Sequence, residues 1–232
     1  MPTTVQRTIG TTGRDHSTVK AFLDYVITTY PNLVSSDVLI EGLLYNDSEF
    51  SQSTYAVDAV VYATTTITAD ATRYIVLKPA AGQGFRDAAG ASTDPLRYDQ
   101  SKGVGFRVTG NYKQLVEYPN NAPKMVIDGV QFYFDSTYSS SAYRPINSGD
   151  KLEVRNFLLE TRQTSQTGIF TEGILVNGLI VQRGASYSGK CVEGSGQRRN
   201  LTIVRPSDLG VGGTGMASNG FGSYPTVVNT NV

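Results

Sequence analysis

The alternation of apolar and polar positions divides the chain into one helical stretch and a long series of short strands. Val19, Phe22, Leu23, Val26, Ile27 and Tyr30 recur at i, i+3, i+4, i+7, i+8 and i+11, a spacing that gathers them on one helix face. Ser17 or Thr18 can accept a hydrogen bond from the first free amides and so cap this helix. Pro31 disfavours helical geometry in the residue before it, so one short helix is expected over about 18–30. Beyond it, runs such as DVLIEGLLYND, AVVYATTTIT, RYIVLKPA, GVGFRVTG and KQLVEYP alternate with clusters of Gly, Asn, Asp, Ser and Pro. This is the pattern of a many-stranded, all-β protein.

A sandwich and a solenoid both produce such runs, and repetition at a fixed period separates them. Stacking VIDGVQF (126–132), EVRNFLL (153–159), LVNGLIV (175–181) and RRNLTIV (198–204) aligns Gly129, Asn156, Gly178 and Asn200 in one column, with offsets of 27, 22 and 22 residues. Each copy enters a strand from a sharp bend and then points every second side chain inward. Coils of this length suit a right-handed parallel β-helix, whose equivalent strands stack at about 4.8 Å and bury their apolar faces against neighbouring coils. TYSSSAYRPINSGD (137–150) and DLGVGGTGMASNGFGSY (208–224) are then loops between rungs. TVVNTNV (226–232) enters the same column through Asn229, 29 residues after Asn200, and stops before a coil closes. The expected organisation is a polar N-terminal arm, 1–17, and a single β-helix domain, 18–232. Its N-terminal end is capped by the helix, and its C-terminal end is open or completed by another chain.

The order IGTTGRDHSTVKAFLDYV then DVLIEGLLYND resembles the opening of pectate-lyase-like β-helix proteins, where a glycine-rich start leads into a capping helix and a first strand. TTITADATRYIVLKPAAGQGF and the later rungs are similar to β-helix proteins of tailed bacteriophages, among them tailspikes and surface components of capsid or tail. The resemblance implies a structural virion protein, foremost a capsid decoration or cement protein. Its partners would be other virion proteins and copies of itself, a trimer by analogy. The alternative is a tailspike or tail fibre that binds or cleaves a host surface polysaccharide. A bacterial adhesin would normally bring a signal peptide or a repeat-rich extension, and neither is visible.

Composition narrows the choice. Twenty basic residues balance twenty acidic ones, and no basic block exceeds the pair Arg198 and Arg199, so the field that draws proteins to nucleic acid is missing. The first ten residues lack the basic start and apolar run of a signal peptide, and nowhere do eighteen apolar residues occur in succession. Neither secretion nor a membrane span is predicted. Cys191 is the only cysteine, which excludes an internal disulfide and suits assembly in a reducing cytoplasm, followed by residence in the virion.

Glycan-cleaving chemistry on this fold would need two carboxylates flanking a glycosidic bond at roughly 5–9 Å. The candidates are Asp128, Glu153, Glu160 and Glu172. In the alignment Asp128 shares its column with Arg155, Asn177 and Arg199, a mixed stack that favours an ion-paired or hydrogen-bonded ladder over a catalytic pair. Glu153 precedes Arg155 by two positions on the same strand face, and Glu160 falls at a strand end. His16, the only histidine, sits beside the helix cap and cannot form a His-based zinc cluster. No spacing of acids suits calcium, and GVGGTG (210–215) lacks the Lys-Ser/Thr that grips phosphate. No cofactor and no metal are expected. Two Asn-X-Ser/Thr matches, at Asn46 and Asn200, lack a secretory route. Fourteen tyrosines could flank strand ends, stack on sugars or pack at an interface.

Overall fold

Among the described residues, short runs of Val, Ile, Leu and Phe pair in parallel throughout. The computed structural model describes residues 1–47, 49–51, 59–62, 66–87, 96–110, 114–136, 144–162, 169–183, 192–204 and 228–229. Its strands form three ladders. The first contains β1 (Thr3–Ile9), β2 (Val38–Leu44), β5 (Ile75–Pro79), β8 (Met125–Asp128), β11 (Leu152–Arg155) and the leading halves of β14 (Ile174–Gln182) and β16 (Gln197–Val204). The second contains β3 (Phe50–Ser51), β6 (Gly105–Gly110), β9 (Gln131–Ser136), β12 (Leu158–Thr161) and the trailing halves of β14 and β16, with β17 (Val228–Asn229) beyond them. The third contains β4 (Val61–Tyr62), β7 (Val116–Tyr118), β10 (Ile146–Ser148), β13 (Ile169–Thr171) and β15 (Val192–Glu193). From β2 to β16 the chain visits the first, second and third ladders in that order, again and again.

Parallel register stacks like upon like. In the first ladder Ile40, Ile75, Met125 and Leu152 form one inward column. In the second, Phe106, Phe132, Leu159, Ile180 and Ile203 do so, and in the third, Val61, Val116, Ile146, Ile169 and Val192. All of these side chains are buried and belong to one continuous core, and each contributes about 1.5–3 kcal/mol by leaving water. Phe50, Phe106, Phe132 and Phe157 meet edge to face in succession, with centroids 5.7, 5.6 and 6.3 Å apart.

The helix forms as its periodicity predicts. α1 (Val19–Thr29) is capped by Thr18, whose hydroxyl accepts the Ala21 amide at 3.0 Å. Val19, Phe22, Leu23 and Val26 are buried at the N-terminal end of the core. Phe22 and Ile9 close over Gly42, where a Cβ would lie 2.8 Å from Ile9 and 3.0 Å from Phe22. A second helix, α2 (Leu33–Ser36), follows, so the expectation of a single helix is corrected. Asn32 caps it and Asp37 ends it in left-handed geometry, φ 52°. One turn is too short to show a period, although Leu33 is fully buried.

Four further expectations change. Residues 3–9, expected within the polar N-terminal arm 1–17, are β1, in register with β2 from Thr3↔Val38 to Ile9↔Leu44. The segment read as a loop over 137–150 contains β10, a strand of three residues. Gly178 is not in the turn column. Pairing of Asp128 with Arg155, Arg155 with Val176 and Val176 with Arg199 places Gly129, Asn156, Asn177 and Asn200 in line. All four have left-handed φ, 72°, 50°, 53° and 52°, and Gly and Asn tolerate that geometry best. The third member of the Asp128 column is therefore Val176, not Asn177. Gly178 is small for another reason, since a Cβ there would lie 2.2 Å from the Phe157 ring. Finally, Asn229 pairs with Ile203, not with Asn200.

Candidate functional site on the second ladder

The four carboxylates singled out from the sequence occupy separate places. On the first ladder Asp128 accepts the Asn156 side-chain amide at 2.7 Å. Glu153 holds Arg155 in a bidentate pair, 2.6 and 2.7 Å. Asn177 donates to Asn156 at 3.1 Å and Asn200 to Asn177 at 3.0 Å, so the turn column carries a hydrogen-bonded ladder starting from Asp128. Glu172 lies between β13 and β14 and accepts from Asn120 at 2.8 Å.

Glu160 is different. It points outward from β12, yet only 1% of it is exposed, because the segment 96–104 lies across this face. Gln131 fastens that segment, accepting the Asp99 amide at 3.0 Å and donating to the carbonyls of Asp99 and Gly103. The Tyr98 amide donates to Glu160 Oε2 at 2.9 Å. Arg162 Nε and Nη2 approach Oε1 at 3.3 Å, and Arg183 Nε at 3.4 Å. Arg183 also donates to the Leu96 carbonyl at 3.1 Å. A buried charge requires such pairing, since its hydration is gone.

The register explains how these groups assemble. Arg107 pairs with Tyr133 and Tyr133 with Glu160, so the three form one outward column, and Arg162 emerges two residues after Glu160 on the same face. The Arg107 and Arg162 guanidiniums lie 5.3 and 5.5 Å from the Tyr133 ring centre, within cation–π range. Tyr98 packs on Tyr133 with centroids 5.4 Å apart and donates its hydroxyl to Glu49 at 2.7 Å. Burial, with the Glu49 carboxylate beside it, pushes the Tyr98 phenol well above its usual range. Burial likewise raises the Tyr133 phenol. Arg97, Tyr98, Arg107, Tyr133, Glu160 and Arg162 line an open cavity of about 190 Å³. No protein-family model, no curated protein and no solved structure matches the chain.

Of the sequence candidates, only Glu160 lies in this cavity. Asp128 and Glu153 are on the first ladder and Glu172 is at a turn, so the structure does not assemble the four into one site. Among the described residues no cluster of three or more His, Cys, Asp or Glu is arranged to hold a metal, and no helix is long and apolar enough to cross a membrane. His16 lies against Phe22 and Tyr25, 5.8 and 5.0 Å between ring centres. Burial lowers its pKa against the opposing pull of Asp15. Cys191, GVGGTG and the loop over 208–224 lie outside the described residues. Arg107 and Arg162 lie outside the repeat that the turn residues define. Aligning GFRVTG, QFYFDS and LLETRQ would have brought Arg107, Tyr133 and Glu160 into one column.

Proposed function

We propose that the chain is a right-handed parallel β-helix acting as a structural component of a tailed-bacteriophage virion, a decoration or cement protein on the capsid surface. The observation that carries this reading is the fixed order in which successive strands visit three parallel ladders, stacking one apolar column per ladder. Connections between parallel strands are overwhelmingly right-handed, which gives the winding its hand. Residues 3–9 then belong to the first coil. In such a solenoid each coil buries its apolar surface only against its neighbours, and the product is a stiff rod suited to a particle surface. The outward carboxylates support the same role. Asp128, Glu153, Glu160 and Glu172 are each engaged by an arginine, an amide or both.

Its partners on this reading are copies of itself and other virion proteins, with a trimer as the expected assembly. Banding particles of a phage that carries this chain on a density gradient tests the proposal. The chain should band with the particles, at a fixed number of copies per particle. A chain left in the soluble fraction, monomeric and active on a polysaccharide, contradicts it.

A further inference from the structure

The cavity on the second ladder holds more positive charge than its own architecture uses. Among the described residues, three guanidiniums line it, those of Arg97, Arg107 and Arg162, against a single carboxylate, Glu160. That carboxylate is already engaged, since Oε2 accepts the Tyr98 amide, Oε1 accepts from Arg162, and Arg183 Nε lies within ion-pair distance of Oε1. Among the described residues Arg107 has one ion pair, to Glu49 at 3.3 Å through Nη1. Of the other nearby acids among the described residues, Asp135 accepts the Tyr133 hydroxyl at 3.2 Å and Asp99 accepts the Ser101 amide and hydroxyl, and none of Glu49, Asp99 and Asp135 lines the cavity. Arg97 is exposed and has no bonded partner among the described residues. Each guanidinium carries five N–H donors in a planar fork, so most of the donor capacity at the rim is unspent.

We infer that this cavity is a binding site for a small oxyanion, a carboxylate or phosphate group borne by a compact polar molecule. Guanidinium forks match the two oxygens of such a group and bind it through short, charge-assisted hydrogen bonds. A volume of about 190 Å³ is below the usual range for drug-sized ligands, about 300–1,000 Å³, and admits one acidic group with a small body attached. The Tyr98 and Tyr133 rings offer an apolar wall with a polar rim to that body. Glu160 acts here as a positioning residue: by holding Arg162 and Arg183 it fixes one side of the pocket and spares the ligand part of the ordering cost. Segment 96–104 supplies the opposite side, placing Arg97 next to the Tyr98 amide that Glu160 anchors.

The test is calorimetric titration of the full-length chain at low ionic strength with glucuronate, glucose 6-phosphate and neutral glucose. At least one of the two anions should bind, glucose should not, and added salt should weaken the binding because the Arg107 and Arg162 side chains, 45% and 42% exposed, stay within reach of counter-ions. Glucuronate binding alone identifies a carboxylate site, and glucose 6-phosphate alone a phosphate site. Arg97→Ala should weaken the anion by roughly tenfold, the loss of one charge-assisted contact, with an unchanged thermal melt. Arg107→Gln should act in the same direction, and if it fails to fold, Arg97→Ala carries the test. Absence of binding at millimolar anion, equal binding of glucose, or full affinity in Arg97→Ala overturns the inference.

Discussion

At the scale of single residues, the turn column shows how backbone geometry and side-chain bonding select the same amino acid. Asn156, Asn177 and Asn200 adopt left-handed φ, which costs other L-residues roughly 1–2 kcal/mol. Their amides also link one rung to the next. Asn177→Ala should therefore lose about 1–2 kcal/mol of stability, whereas Asn177→Gly should lose less than half as much, because it keeps the backbone freedom and forfeits only exposed side-chain bonds. Urea unfolding of the two variants beside the parent checks the order. Equal losses would mean that the amide ladder, not the backbone, dominates. The same residues show why the sequence was ambiguous here. Asn177 and Gly178 are adjacent and both suit a positive φ, so local preference cannot choose between them. The choice is made by contacts with distant parts of the chain, Asn156 below and the Phe157 ring against Gly178.

At the scale of elements, acid sensitivity gathers toward the N-terminal end of the ladders, where the Thr72 and Arg73 amides also hold Asp70 well below the usual carboxylate range. The amide and hydroxyl of Thr8 hold Asp15 below the usual carboxylate range. For Asp47 burial works upward and is outweighed by the Thr11 and Thr12 amides and by Arg14. For Glu41 burial is likewise outweighed by Lys78 and Gln6. A carboxylate with a lowered pKa contributes stability that is complete above its unfolded value and lost as pH falls through the folded one. His16 titrates with the same outcome. Burial lowers its pKa in the folded chain, so the unfolded chain takes up the proton first and stability begins to decline as pH drops below the unfolded value of 6.5. Hydrogen exchange between neutral pH and about pH 3, corrected for intrinsic rates, should show β1 and α1 losing protection before β8, β11 and β14. Loss in the opposite order, or all at once, would contradict this. The elements were also unequally legible. α1 announces itself through six apolar positions on one face, and the rungs of the first ladder through alternation over six or seven residues. Strands of the third ladder, such as β10 with three residues and β4 with two, are too short to carry a period. Pro145 and Gly149 flank β10 and give its surroundings the composition of a loop. The outward column of Arg107, Tyr133 and Glu160 stayed hidden because its members lie 26 and 27 residues apart (107 to 133, 133 to 160) and share no motif.

At the scale of the whole molecule, the recurring visit to three ladders leads to the proposed solenoid and to its place on a particle. The shared core runs from α1 to Leu201 and Ile203, so it links the N-terminal helix to β16. Such an arrangement suits a part that must keep its shape on a virion. Image reconstruction of particles that carry the chain is the most direct measurement. The account predicts a three-sided rod at repeated positions on the particle surface, with rungs about 4.8 Å apart and the α1 cap at one end. Particles without that density, or density of two packed sheets in its place, would contradict it.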